Sequence, residues 1–481
     1  MADVAEKPKH TSTSEKKSKK SKKEKKPKDK HNVPHEPKTT SAAPAAEGES
    51  EVPQKSKSEL KAERRAKQEA QRAAKAKKAG EGSTTKTPPE GVSQKAPPRV
   101  SADHQLDDPK VLKRRNKRFE KQKIPQRVEH QKKVSLFSHL DQYERQMPLT
   151  KALGFGSCEI HPAIIKLGLQ YAEGIICGSN ARCIALMNTF KRVIQDYSTP
   201  DDKELSRDLE SRIKPYISFL NQCRPKSVSM GNAIKNLKMQ ITHIPSDMSD
   251  TKAKEELYTF IDKYLNEKIF LAGEVIKNYA ITKIKDGDVI LVYGCSSLLR
   301  KVLCDAHNSD KKFRVVVVDS RPKMEGREGL RRLVNHGICC SYILINALSY
   351  MMPEVTKVFL GAHALLANGY VMSRVGSSHV AMVAKSYNVP VLVCCETYKF
   401  CERAQTDSFV ANELGDPEDL TNAEKPKKYL SDWRNIDSLT LLNLIYDVTP
   451  PDFVDIVITE IGMVPCTSVP VVLRMKSAVE G

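Results

Sequence analysis

No two of the twelve cysteines in this 481-residue chain stand as CxxC, and none precedes residue 150. Neither a zinc ribbon nor a thioredoxin-like redox site is therefore supported. The cysteines include two adjacent pairs inside apolar runs, Cys339–Cys340 and Cys394–Cys395. That is the pattern of buried free thiols in a reducing compartment. No apolar run reaches the ~18 residues of a membrane helix, and no short apolar core near the start reads as a secretory signal. A soluble cytosolic protein without a membrane partner is expected. Both GxGxxG and the P-loop motif are missing, so motifs give no support to dinucleotide or nucleoside-triphosphate binding. No metal or other cofactor is implied.

The charge is unevenly placed. The whole chain carries a formal +20. Residues 1–133 hold 37 Lys and Arg against 19 Asp and Glu, a net +18; residues 134–481 hold 42 against 40. The basic excess therefore belongs to a tail. Residues 1–100 are mostly Lys, Ser, Glu, Ala, Pro and Thr, too few apolar groups to offset chain entropy, and a disordered tail is expected over 1–133. Its lysine run Lys16–Lys30 reads as nucleic-acid contact through phosphates or as a solvated tail that keeps an assembly soluble. The nearly neutral body lacks the basic face of an RNA-binding domain.

Two further domains are expected. From 134 to 285 the spacing is helical: Ile164, Leu167 and Tyr171 recur at three- and four-residue steps, as do Ile184, Met187, Val193, Ile194 and Tyr197. Leu257, Ile261, Leu265, Ala272 and Ile276 extend the pattern into a long third helix. From 286 to 481 the period changes. Short apolar runs at 289–294, 314–319, 341–345, 357–361, 389–393 and 454–459 alternate with helical stretches. Such runs predict an α/β domain with a Rossmann-like parallel sheet covered on both faces, binding ligands at the carboxyl ends of its strands.

Those strand ends carry the candidate chemistry. Gly294-Cys295-Ser296 opens a helix, where a terminus could lower the Cys295 pKa; a small turn residue is the plainer reading. Arg321 after the second strand, and Asn368 and Arg374 further on, could hold a sugar phosphate. The arginines could equally hold loops through internal ion pairs.

These same segments carry a resemblance. The α/β half resembles the aldose-ketose isomerases of methylthioribose 1-phosphate and ribose 1,5-bisphosphate, and the regulatory subunits of translation initiation factor 2B. The fullest likeness is to the delta branch of those subunits. It rests on LGLQYAEG at 167–174, GSNARCIALM at 178–187, VILVYGCSSLL at 289–299, VVVVDSRP at 315–322, LGAHALLANG at 360–369, VLVCCETYKFCER at 391–403 and YDVTPPDFVDIVITE at 446–460. The isomerases place a cysteine where Cys295 stands and an aspartate where this chain has His363, so the resemblance implies a broken proton-shuttle pair and no enzyme activity. A relative that retains metabolite binding is the alternative.

The resemblance implies a regulatory subunit of a decameric guanine-nucleotide exchange factor for initiation factor two. Its partners would be the alpha, beta, gamma and epsilon subunits and a second copy of itself. Such a subunit would sense phosphorylation of the alpha subunit of initiation factor two. Carried onto this sequence, Asn180 and Arg182 are expected at the phosphorylated-factor contact. Leu136, Leu439 and Leu442 are expected at the seam between subunit pairs, where small regulatory ligands bind. Ile164, Leu167 and Ile184 are read as helix packing.

Overall fold

The computed structural model describes residues 132–143, 160–421 and 432–480, together with Arg114, Lys117, Ile124, Arg127, His130 and Leu430. All of them fall in one compact unit, Pro97–Gly481. The lysine run and nearly all of the basic tail lie outside the described residues.

Five helices build a bundle: α1 (Pro162–Ala172), α2 (Ser179–Asp196), α3 (Leu205–Cys223), α4 (Val228–Thr242) and α5 (Asp250–Leu265). Local sequence sets their ends. The His161 ring accepts from the Ala163 amide and Pro162 occupies the first turn of α1, where its missing N–H costs nothing. Gly174 follows α1 at φ +72° and Gly178 precedes α2 at φ +85°, a region glycine enters without strain. The Ser227 hydroxyl caps α4 through the Met230 amide at 3.2 Å.

The expected apolar spacings face one core. Ile164, Leu167, Tyr171, Met187, Ile194, Leu257 and Ile261 are all buried there, and Ile184 is partly buried against it. The long helix is present as one rod, but it is the fifth helix, not the third, because α3 and α4 intervene. One π-helical turn, Asn266–Leu271, joins α5 to α6 (Ala272–Ile281). A π turn carries one more residue than an α turn and so re-aims the apolar stripe. Leu257, Ile261 and Ile269 pack in the bundle, whereas Ile276 and Ala280 pack on the sheet.

The sheet has seven strands in the order β11-β10-β7-β4-β1-β2-β3. These are β1 (Val289–Tyr293), β2 (Arg314–Asp319), β3 (Cys340–Leu344), β4 (Lys357–Gly361), β7 (Val391–Cys394), β10 (Ile456–Thr459) and β11 (Gly462–Val464). All pairings are parallel except β10–β11. The valine run of β2 shows why the strands read as unbroken apolar runs. Val316 and Val318 face one core while Val315 and Val317 face the other, so neither face can be polar. The helices α6, α7 (Ser297–Asn308) and α8 (Gly326–Asn335) cover the second face. The first is covered by α9 (Ser377–Ser386) and α10 (Val469–Glu480).

All six expected strands are present, with ends shifted by at most two residues. A second sheet was not anticipated. It runs β8-β5-β6-β9, from Phe400–Cys401, Ala364–Leu366, Val371–Arg374 and Tyr446–Thr449. Strands of two to four residues are too short to show a period. This small sheet carries His363, Arg374 and Tyr446 at or beside its strands.

A cleft of paired arginines between bundle and sheet

The strand ends form the floor of a cleft. Asp319, at the end of β2, accepts from the amides of Ser320 and Arg327 at 2.9 and 3.1 Å and from the Tyr342 hydroxyl at 3.0 Å. A Cβ on Gly326 would meet Asp319 Cγ at 2.7 Å, so glycine is required for this approach. Asp319 thereby fixes the loop that presents Arg321, Lys323 and Glu325.

Arg374, at the end of β6, pairs with Glu325 at 2.7 Å and stacks over the Tyr446 ring at 5.3 Å. Arg321 and Arg374 line one small cavity of about 40 Å³. Arg374 also borders a cavity of about 330 Å³ whose far wall comes from the bundle through Tyr171, Cys177 and Arg224. The structure thus brings Arg321 and Arg374 into one cavity, but it spends the Arg374 charge on Glu325. The ion-pair reading of that arginine is the one observed.

The other expected pocket residues part company. Cys295 lines a separate cavity of about 20 Å³ with Arg300 and Gly329, and burial pushes its thiol above the ordinary range. His363 donates its amide to the Met372 carbonyl at 2.8 Å, and its ring lies 4.1 Å from that of Tyr446. Burial, reinforced by Arg182 and Arg374, holds its imidazole well below the usual value and so neutral. The Asn368 amide turns away to donate to the Gln405 carbonyl at 3.0 Å. The His363 ring thus packs against Tyr446 and does not line the cavity that Cys295 lines, so the two are not assembled as a pair.

Asn180 sits at the start of α2. Its amide donates to Glu396 at 2.6 Å and its carbonyl accepts from the Tyr398 hydroxyl at 2.6 Å. Arg182 is not on a surface: it is 1% exposed. Its guanidinium donates to the Pro225 carbonyl, lies 5.3 Å from the Tyr171 ring centroid and approaches Glu413 at 3.8 Å. The expectation of direct contact through Arg182 is corrected accordingly, since α2 turns this side chain inward toward Glu413.

Leu136 is 58% exposed, while Leu439 and Leu442 are half-buried. They sit on neighbouring pieces of chain. Lys132 donates to the carbonyls of Trp433 and Arg434 at 3.1 and 3.3 Å, and His139 meets the Phe409 carbonyl at 2.7 Å.

Sequence reasoning missed Arg224 and Glu413. Their side chains meet at 2.6 Å although 189 positions separate them. It also missed the buried pair Glu396–Lys399, 2.6 Å apart and 1% and 6% exposed. Nothing local in the sequence marks the first pair, whereas the second is only three residues apart, directly after the apolar run 391–395.

The model of the Initiation factor 2 subunit family matches residues 176–466. The chain belongs to this family, and the likenesses within it are specific. It is 45% identical over 431 residues to the translation initiation factor eIF2B subunit delta of Schizosaccharomyces pombe, covering 88% of this chain and 90% of that one. It is 46% identical over 378 residues to the subunit of that name from Dictyostelium discoideum, covering 77% of this chain and 60% of that one. Likeness to the ribose 1,5-bisphosphate isomerase of Pyrococcus furiosus is lower, 32% over 54% of this chain and 78% of the isomerase. Among solved structures, the tetrameric eIF2B-beta2-delta2 complex from C. thermophilum matches with a TM-score of 0.56 at 34% identity. That match covers 63% of this chain and 92% of that one. Among the described residues no helix is long and apolar enough to cross a membrane.

Proposed function

We propose that this chain is the delta regulatory subunit of the exchange factor that recycles GDP-bound translation initiation factor two. It is a non-catalytic subunit. The observation that carries this reading is the 45% identity to a named delta subunit across 88% of the chain. It is supported by a cleft whose Arg374 is paired internally and whose isomerase aspartate position holds the neutral His363.

In this reading the chain pairs with a beta subunit and assembles with alpha, gamma, epsilon and a second copy of itself in the cytosol. It also takes part in sensing phosphorylation of the alpha subunit of initiation factor two. The proposed sensing face is the exposed side of the α1–α2 region. Asn180 and Arg182 position it from beneath rather than touching the partner. Leu136, Leu439 and Leu442 are proposed at the seam between the two beta–delta pairs.

Gentle isolation from cytosol tests the reading. A particle of several related α/β subunits, with nucleotide-exchange activity toward initiation factor two, is expected. A stable homodimer without partners would overturn it in favour of a metabolite-binding relative of the isomerases.

A further inference from the structure

Two arginines from the bundle converge on one carboxylate from the α/β side. Arg224 Nε lies 2.6 Å from Glu413 Oε1, and Arg182 Nη1 lies 3.8 Å from Glu413 Oε2. Arg182 is 1% exposed and Arg224 and Glu413 are each 11% exposed. Burial, then the neighbouring Arg224, pulls the Arg182 guanidinium below its ordinary range, so this pair of cations needs an anion between them. One carboxylate offers two oxygens, one to each arginine, as a phosphate would offer two of its own. The fit is incomplete, because Nε and Nη1 of Arg182 are buried without a hydrogen-bond partner.

We infer that Glu413 is an intramolecular anion: its side chain fills a phosphate-class binding position between Arg182 and Arg224, which accepts an external anion only when that carboxylate is removed. The backbone delivers Glu413 independently of its side chain. Its amide donates to Asn412 Oδ1 at 2.8 Å and its carbonyl accepts from the Ile445 amide at 3.1 Å. The next turn is fixed by the Gly415 amide on the Asn443 carbonyl at 2.7 Å. Removing the carboxylate therefore leaves the loop in place and Arg224 on the wall of a cavity of about 330 Å³ that Glu413 also lines, with Arg182 behind the vacated position. In this chain the contact that a bound anion could make between bundle and sheet is permanent. The inference stands apart from the proposed function, since it concerns only how this cleft is filled.

Thermal melts of the full chain test it, in chloride and in inorganic phosphate at matched ionic strength and pH 7. The unaltered chain should melt at the same temperature in both. Glu413→Ala should melt lower in chloride and recover saturably with phosphate. Adding Arg224→Met to Glu413→Ala should abolish the recovery. Phosphate stabilising the unaltered chain as strongly as Glu413→Ala would overturn the inference, and so would a Glu413→Ala chain that ignores phosphate. Should Glu413→Ala fail to fold in chloride, refolding in phosphate should restore it. The milder Glu413→Asp, which keeps the charge on a side chain one methylene shorter, should then show a weaker phosphate response. No response in either variant counts against the inference.

Discussion

The Asn180 amide, in the first turn of α2, donates to the carboxylate of Glu396 just beyond β7 at 2.6 Å. This bond ties the bundle to the sheet at a point where little water enters, because Glu396 and its partner Lys399 are 1% and 6% exposed. The neighbouring amide of Asn232 on α4 donates to the carbonyls of Tyr398 and Phe400 at 2.8 and 3.0 Å. Residues 396–400 are thus held from two helices.

Asn180→Ala should destabilise the chain by about 1–3 kcal/mol, since it leaves the Tyr398 hydroxyl and one Glu396 oxygen without their partner. Asn180→Asp should cost more, because it sets a second carboxylate against Glu396. Urea unfolding of the three chains checks the order. Equal stability of unaltered chain and Asn180→Ala would contradict the account.

Gly168 and Gly273 make a contrasting pair. A Cβ on Gly168 would lie 2.7 Å from both Cys223 Sγ and Phe219 Cε1, in the seam between α1 and α3. Gly168→Ala should therefore cost about 1–3 kcal/mol through overpacking. A Cβ on Gly273 would meet only Leu298 Cδ1, at 3.8 Å. Gly273→Ala should raise stability by up to about 1 kcal/mol through helix propensity. Shifts of the same sign in calorimetry would sink the packing argument.

Burial pushes the Asp447 carboxyl up to about 7 against the hydrogen bonds it accepts from the amides of Ser378 and Gly376. A folded-state pKa raised above the unfolded value means that the native chain holds the proton over a window where the unfolded chain has lost it. Below about pH 4 both states are protonated and the group is neutral in its effect. As pH rises from about 4 to 7, stability falls, by at most about 1.4 kcal/mol per unit for one proton. Asp447→Asn keeps an acceptor for both amides and should flatten this slope. Unfolding free energies of the two chains across pH 4–8 decide it, and parallel curves would rule Asp447 out as the cause.

Leu136 is 58% exposed, so Leu136→Asp should change fold stability by no more than about 0.5 kcal/mol. If Leu136 borders the seam between subunit pairs, the same change should halve the mass of the assembly. Sedimentation of the complex reads this out directly, and an unchanged particle would remove Leu136 from the seam.

Much of the fold could be read from the residues because the central strands of the large sheet are buried on both faces, and a run such as Val315–Val318 has no polar position. The bundle was equally plain at Ile164, Leu167 and Tyr171, where one face repeats. The small sheet escaped notice because β8 has two residues and β5 three, less than any period can reveal.

The amino-acid sequence by itself determined the layers, the strand positions and the concentration of basic charge in the tail. These are local or periodic properties, written in consecutive residues. Only the tertiary structure decided that Arg182 turns inward, that Cys295 and Arg374 line different cavities, and that Glu413 reaches Arg224 across 189 positions. Ion pairs between distant segments leave no pattern in the chain. Their partners are chosen by which elements the packing brings together, and by the cost of burying a guanidinium without a carboxylate beside it.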